Sequence, residues 1–153
     1  RQGLFRELFE QFKVLYISSQ DIHALMGVFE RLGDLNLPPC QIELEKAETF
    51  RVLGDWDKAF LYLDKAIRIE PESIAAMRAL AFYHKYKEEY DLSMLWFNRW
   101  AKLEPDLPDI DYQLGLLSYR VNQHDLARGH LNRCLTLDTG HLMARSLLGK
   151  LKA

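Results

Sequence analysis

Apolar side chains recur along this chain at spacings of three and four, and short polar turns interrupt them at intervals. The clearest stretch begins at Ser73, which is placed to cap a helix carrying Ile74, Met77, Leu80 and Ala81. A turn is expected at Lys87 and Glu88. A second helix then runs through Leu92, Leu95, Trp96 and Leu103 until Pro105 stops it, because proline lacks the N–H and clashes with the preceding turn.

This helix pair repeats. Pro71 and Pro105 lie in two similar passages, RIEPES and KLEPDL, 34 residues apart. The same interval links Asp55 to Glu89, joins Ala59 to Ser93 and Ala127, and joins Leu63 to Phe97 and Leu131. It also connects Ile69, Leu103 and Leu137, and the acids Glu70, Glu104 and Asp138. On the first helices Ala47, Ala81, Gly115 and Gly149 recur in register. A repeat of this length marks a helix-pair unit that buries its apolar face by stacking on its neighbours. The small residues let two helices approach closely, and Leu63, Phe97 and Leu131 are expected to fill the space between units.

With this order, the segment AETFRVLGDWDKAFLYLDKAIRIEPES resembles a tetratricopeptide (TPR) repeat, carried by Ala47, Phe50, Gly54, Trp56, Ala59, Leu63, Ala66 and Pro71. The next unit keeps Leu80, Ala81, Tyr90, Phe97 and Pro105, with His84 at an aromatic position and Trp100 at a small one. The third keeps Leu114, Gly115, Ala127 and Leu131, with Thr139 in place of the proline. The expected organisation is residues 1–39 as a degenerate TPR or helical-pair cap, TPR units at 40–73, 74–107 and 108–141, and 142–153 as the first helix of a truncated repeat or a capping helix. In the first segment Tyr16, Leu25, Phe29 and Leu35 fall under Phe50, Ala59, Leu63 and Ile69. The resemblance implies an all-α, right-handed superhelical solenoid of antiparallel helix pairs with a concave groove.

Composition narrows the function. The 153 residues are 48% hydrophobic and 27% charged, with a formal net charge of -2, which fits a globular chain and disfavours nucleic acid as a partner. No run approaches the roughly 18 apolar residues of a membrane span, so no direct membrane insertion is expected. Cys40 and Cys134 are far apart, and no CxxC pair, HExxH, Gly-x-Ser-x-Gly or phosphate-cradling glycine loop is present. His124 and His130 lie on different sides of one helix, so no shared metal is expected. His84 and Cys134 read as packed residues. Asp109, Asp111, Glu88 and Glu89 read as solvated groups at turns and helix starts, where carboxylates favour the dipole. The expectation is no enzyme activity, no cofactor and a cytoplasmic location. The opening at Arg1 rather than Met suggests a piece of a longer protein.

The resemblance implies a partner-binding groove. Its inward positions map onto Arg51 in the first clear unit, Arg78, Phe82 and Lys85 in the second, and Tyr112, Leu116, Tyr119 and Arg120 in the third. Glu45, Glu48, Tyr86, Asp109, Gln113 and Lys150 share that face. Aromatic and arginine residues ringed this way suit a partner peptide or helix with apolar anchors and some negative charge. The Lys, Asn and Arg set by which some TPR co-chaperones grip a chain-terminal carboxylate is missing. The matching places hold Leu44, Glu48, Ala79, Asp109 and Gln113.

The helix near 89–102 is apolar on more than one side. Leu92, Leu95 and Trp96 lie where the family places polar residues, and Leu61 repeats the departure one unit earlier. These four are either a second interface or a face that packs on further parts of the protein. Arg31, Lys65, Arg99 and Arg133 form a basic column that reads as a solvated face. The expected function is a non-catalytic scaffold or adaptor that binds another protein in its groove, with self-association through the convex face as a further mode. The alternative is a cytosolic assembly subunit of a membrane-anchored secretion or polysaccharide-export complex that uses the convex apolar face.

Overall fold

Helix ends follow the turn chemistry closely. The computed structural model describes residues 21–34 and 37–152, with Gln11, Val14 and Ser18 as isolated helical positions. The described residues form α1 (Ile22–Asp34), α2 (Pro39–Val52), α3 (Trp56–Ile69), α4 (Ile74–Tyr86), α5 (Tyr90–Leu103), α6 (Pro108–Arg120), α7 (His124–Leu137) and α8 (Leu142–Lys152). No strand occurs among them. The chain divides into two units, residues 1–73 and 74–153.

In the first unit, Phe29 of α1 is buried with Ile42 of α2, and Met26, Val28 and Leu37 pack around them. Leu25 lies on α1, whereas Tyr16 and Leu35 fall outside the described residues. Pro39 occupies the first turn of α2, where its missing N–H leaves no intrahelical bond unmade. α2 and α3 form a hairpin. Ala47, Ala59, Leu63 and Ala66 are buried in it, and Phe50 stacks on Tyr62 at 5.4 Å.

The hairpin turn is built the same way three times. After α2, the Asp55 N–H reaches the Phe50 carbonyl at 2.9 Å and the Gly54 N–H reaches that of Arg51 at 3.1 Å. After α4 the same pair of bonds runs from Glu89 to His84 and from Glu88 to Lys85. After α6 it runs from Gln123 to Ser118 and from Asn122 to Tyr119. This six-to-one, five-to-two pattern needs a left-handed residue just past the helix. Gly54 (φ 80°), Glu88 (φ 60°) and Asn122 (φ 61°) supply it, again 34 residues apart.

The second unit contains the hairpins α4–α5 and α6–α7 and the single helix α8. Between α4 and α5, Ala81 and Ser93 are both buried, and the Ser93 hydroxyl donates to the Ala81 carbonyl at 2.8 Å. Phe97 is fully enclosed, stacked on Trp100 at 6.1 Å. The large ring at position 100 is accommodated because its indole N–H donates to Glu104 at 2.7 Å. Between α6 and α7, Gly115 faces Leu131, and a methyl group on it would sit 2.8 Å from Leu131 Cγ. Leu131 and Cys134 then form one core with Ala144, Leu147 and Leu148 of α8.

Burial corrects one expectation. Asp109 is exposed, but Asp111 is only 5% exposed and is not a solvated cap. Its carboxylate lies 3.0 Å from His130 Nδ1 and 3.2 Å from Arg133 Nε, which substitute for water. Arg133 also donates to the Pro105 carbonyl at 2.9 Å, so this member of the basic column joins α7 to the α5–α6 loop. His84 is buried as expected, with Nδ1 2.6 Å from Glu89.

Candidate functional site

The inner face of the second unit comes from α4 and α6. On α4, Leu80, Ala81, Tyr83 and His84 are buried and fix the helix's rotation. That leaves Arg78, Phe82, Lys85 and Tyr86 as one stripe, since residues four and seven apart share a helix face. Phe82 is 43% exposed. One edge of its ring meets Phe97 at 5.2 Å and 83°, and the rest faces solvent. The Lys85 ammonium lies 5.7 Å from the same ring.

On α6 the matching stripe is Gln113, Leu116 and Arg120. Lys85 Nζ donates to Gln113 Oε1 at 2.6 Å, which ties the two inner helices together. Burial pushes the Lys85 ammonium below the usual lysine range, and the nearby Arg120 charge acts in the same direction. Arg78 and Arg120 are exposed.

The remaining aromatic positions on α6 sit deeper. Tyr112, Leu116 and Tyr119 are half-buried against the core formed with α7 and α8. The Tyr112 ring lies 4.8 Å from that of His141, whose Nε2 is 3.2 Å from Asp109. Tyr119 lies 5.7 Å from the His124 ring. These side chains line the face while also holding α8 and the α6–α7 turn. Arg51 belongs to the first unit, where Glu48 takes both its Nε, at 2.7 Å, and its terminal amine. That carboxylate holds the Arg51 guanidinium pKa above its ordinary value.

The outer positions are equally distinct. α5 buries Ser93, Phe97 and Trp100 on one side and exposes Leu92 and Leu95 on another, Leu95 at 52%. Trp96 is half-buried, with the Arg99 guanidinium 4.7 Å from its ring. Leu61 is exposed on α3 of the first unit.

Sequence reasoning did not foresee the Asp111–His130–Arg133 group. Thirty-four residues earlier the same columns hold Met77, Trp96 and Arg99, so the repeat carries no matching polar group. Among the described residues no three His, Cys, Asp or Glu side chains are placed to hold a metal ion. None of the described helices is long and apolar enough to cross a membrane.

No protein-family model and no curated protein matches the chain in sequence. Solved structures do match in shape. The first TPR of Spaghetti (RPAP3), bound to the HSP90 peptide SRMEEVD, aligns with a TM-score of 0.67 at 16% identity, over 74% of this chain and 90% of that one. MamA from Desulfovibrio magneticus RS-1 aligns with a TM-score of 0.75 at 14% identity, over 95% of this chain and 82% of that one. A further MamA crystal structure aligns at 0.74 with 17% identity, over 97% and 81%. Together with the repeated helix pairs and their shared turn, these likenesses show that the chain has the tetratricopeptide-repeat fold.

Proposed function

We propose that the chain is a non-catalytic interaction module that holds a peptide or helix of another protein against its inner helices. The observation that carries this reading is Phe82. It is a large aromatic ring braced on Phe97 but left 43% exposed, with Arg78 and Lys85 on the same stripe. Rigid, partly exposed aromatics beside cations are what partner anchors use, because they bury apolar area at little cost in side-chain entropy. Tyr112, Leu116, Tyr119 and Arg120 extend the surface along α6, and Arg51 is its counterpart in the first unit. RPAP3, of the same fold, holds an HSP90 peptide. The residues at this chain's corresponding terminal-carboxylate positions differ, so a grip of another kind is expected. Two buried free thiols, Cys40 and Cys134, suit a cytoplasmic location.

A second reading rests on Leu92 and Leu95. Two exposed leucines on a helix already buried on its other side suit a second protein contact, as in an assembly subunit or a self-contact. Cross-linking pull-downs from the native source separate the two readings. The variants are Phe82→Ala with Arg120→Gln, and Leu95→Ser with Trp96→Ser, each checked for helicity. Loss of a partner only in the first supports the inner face. Loss only in the second moves the function to the outer face. Retention of every partner by both folded variants sinks both readings.

A further inference from the structure

Among the described residues, the cations Arg78, Lys85 and Arg120 on the inner face of the second unit have no acid beside them. Several exposed cations on other described helices do pair with an acid three or four residues away: Arg51 with Glu48, Lys58 with Asp55, Arg68 with Asp64, Arg128 with Asp125. Among the described residues no carboxylate lies within ion-pair distance of Arg78, Lys85 or Arg120. Lys85 is also half-buried, and its one hydrogen-bond acceptor is the neutral amide oxygen of Gln113 at 2.6 Å. An ammonium has three donors, so two have no acceptor among the described residues. The fold therefore sets a partly desolvated cation beside a second one, Arg120, which opposes its charge. Such an arrangement costs stability until an anion arrives.

We infer that the Lys85–Gln113–Arg120 corner binds a side-chain carboxylate of an acidic partner segment, whose neighbouring large apolar residue rests on Phe82. This rests on the inner-face reading above and names the partner chemistry for it. Gln113 is the positioning residue, because its amide oxygen holds the Lys85 ammonium toward α6. The nearest acid on the same helix face, Asp109, lies eleven residues before Arg120 and is taken up by His141. At 1.5 Å rise per residue Asp109 stands about 6 Å from Gln113 and about 16 Å from Arg120 along α6, and its ion pair is with His141 rather than with Lys85 or Arg120. Of the positions at which a chain-terminal carboxylate would be gripped only Gln113 belongs to this corner, and Leu44, Glu48, Ala79 and Asp109 supply no cation at the others, so a side-chain acid within a segment is the matching ligand.

The probes are fluorescent arrays of short peptides with both ends blocked, each carrying one Phe or Leu near an Asp/Glu pair. Matched arrays carry Asn/Gln or Lys in place of the acids. Binding is read by polarisation for the full chain and for Lys85→Gln, Arg120→Gln, Phe82→Ala and the control Arg128→Gln. Acidic peptides are expected to bind at least about 10-fold tighter than their amide matches, with each corner variant losing about 10-fold, as charged hydrogen bonds do. Raised salt should weaken only the acidic set, and Arg128→Gln should bind as wild type. Binding that ignores peptide charge but falls with Phe82→Ala overturns the carboxylate corner and leaves the inner-face reading standing. Binding by no array, or binding indifferent to Phe82→Ala, overturns both.

Discussion

The Asp111 carboxylate on α6 lies 3.0 Å from His130 Nδ1 on α7, joining the two helices of a hairpin that also buries Leu114, Ala127 and Leu131. Arg133 closes the group from the solvent side. Removing this buried acceptor leaves the largely buried His130 nitrogen without its partner, which costs more than the bond contributes when made, whereas the half-exposed Arg133 can turn to water. Asp111→Ala should lower the unfolding free energy by about 2 kcal/mol. Arg133→Gln, at a half-exposed partner, should cost less than about 1 kcal/mol. Urea unfolding followed by helicity measures both, and equal small losses would mean that the group is incidental to the hairpin.

The two glycines of one repeat column should respond in opposite directions. Gly115 has no room: an added methyl would meet Leu131 Cγ at 2.8 Å and the Ala127 carbonyl at 3.3 Å. Leu131 is fully buried, so it has nowhere to move. Gly149 on α8 has nothing within 4 Å of the same methyl position. Gly115→Ala should therefore cost about 1 kcal/mol or more through overpacking, after the helix-propensity gain is subtracted. Gly149→Ala should stabilise by about 0.5 to 1 kcal/mol, since alanine loses less backbone freedom in a helix. Thermal melts of both variants test this, and a shift of the same sign in both would refute the close-approach account.

Most of the hairpin architecture was legible because packing imposes it at a fixed interval. Ala81, Ser93, Phe97, Ala127 and Leu131 are buried where the 34-residue columns placed them, and α5 ends two residues before Pro105. The exposed leucines on α5 were legible too, as apolar residues in excess of one face. Asp111 was not. A carboxylate in a first helical turn carries the same local signal whether it faces water or a histidine nineteen residues away. Nor could spacing show that Tyr112 and Tyr119 are partly spent on packing α8 and a turn, while Phe82 is left half open. That division depends on which neighbouring helix happens to be present.

The recurring left-handed turn residue makes a further test. Gly54 adopts φ 80° without a side-chain clash, and asparagine tolerates the similar angle at Asn122. Glu88 has neither advantage at φ 60°. Its Cβ crowds the backbone at about 1 kcal/mol, so Glu88→Gly should raise stability by roughly 0.5 to 1 kcal/mol. The same change leaves the turn's hydrogen bonds, from the Glu88 and Glu89 amides, intact. A melt that drops on Glu88→Gly would show that the glutamate side chain contributes more than its backbone strain costs.

Alkaline pH should loosen the second unit through one buried thiol. Cys134 is fully enclosed against Leu131 and α8, and burial pushes its pKa up from 9.0 to about 11, with Asp111, Asp109 and Asp138 adding in the same direction. The folded chain therefore keeps a proton that the unfolded chain releases. Its stabilising effect is complete below pH 9 and is lost as pH rises toward about 11. A shift of this size corresponds to about 3 kcal/mol across that window. Cys134→Ala removes the titrating group, so its stability should fall less steeply between pH 9 and pH 11 than the wild type, whatever the cavity costs at neutral pH. Parallel slopes for the two chains over that window would show that Cys134 ionises no differently folded than unfolded.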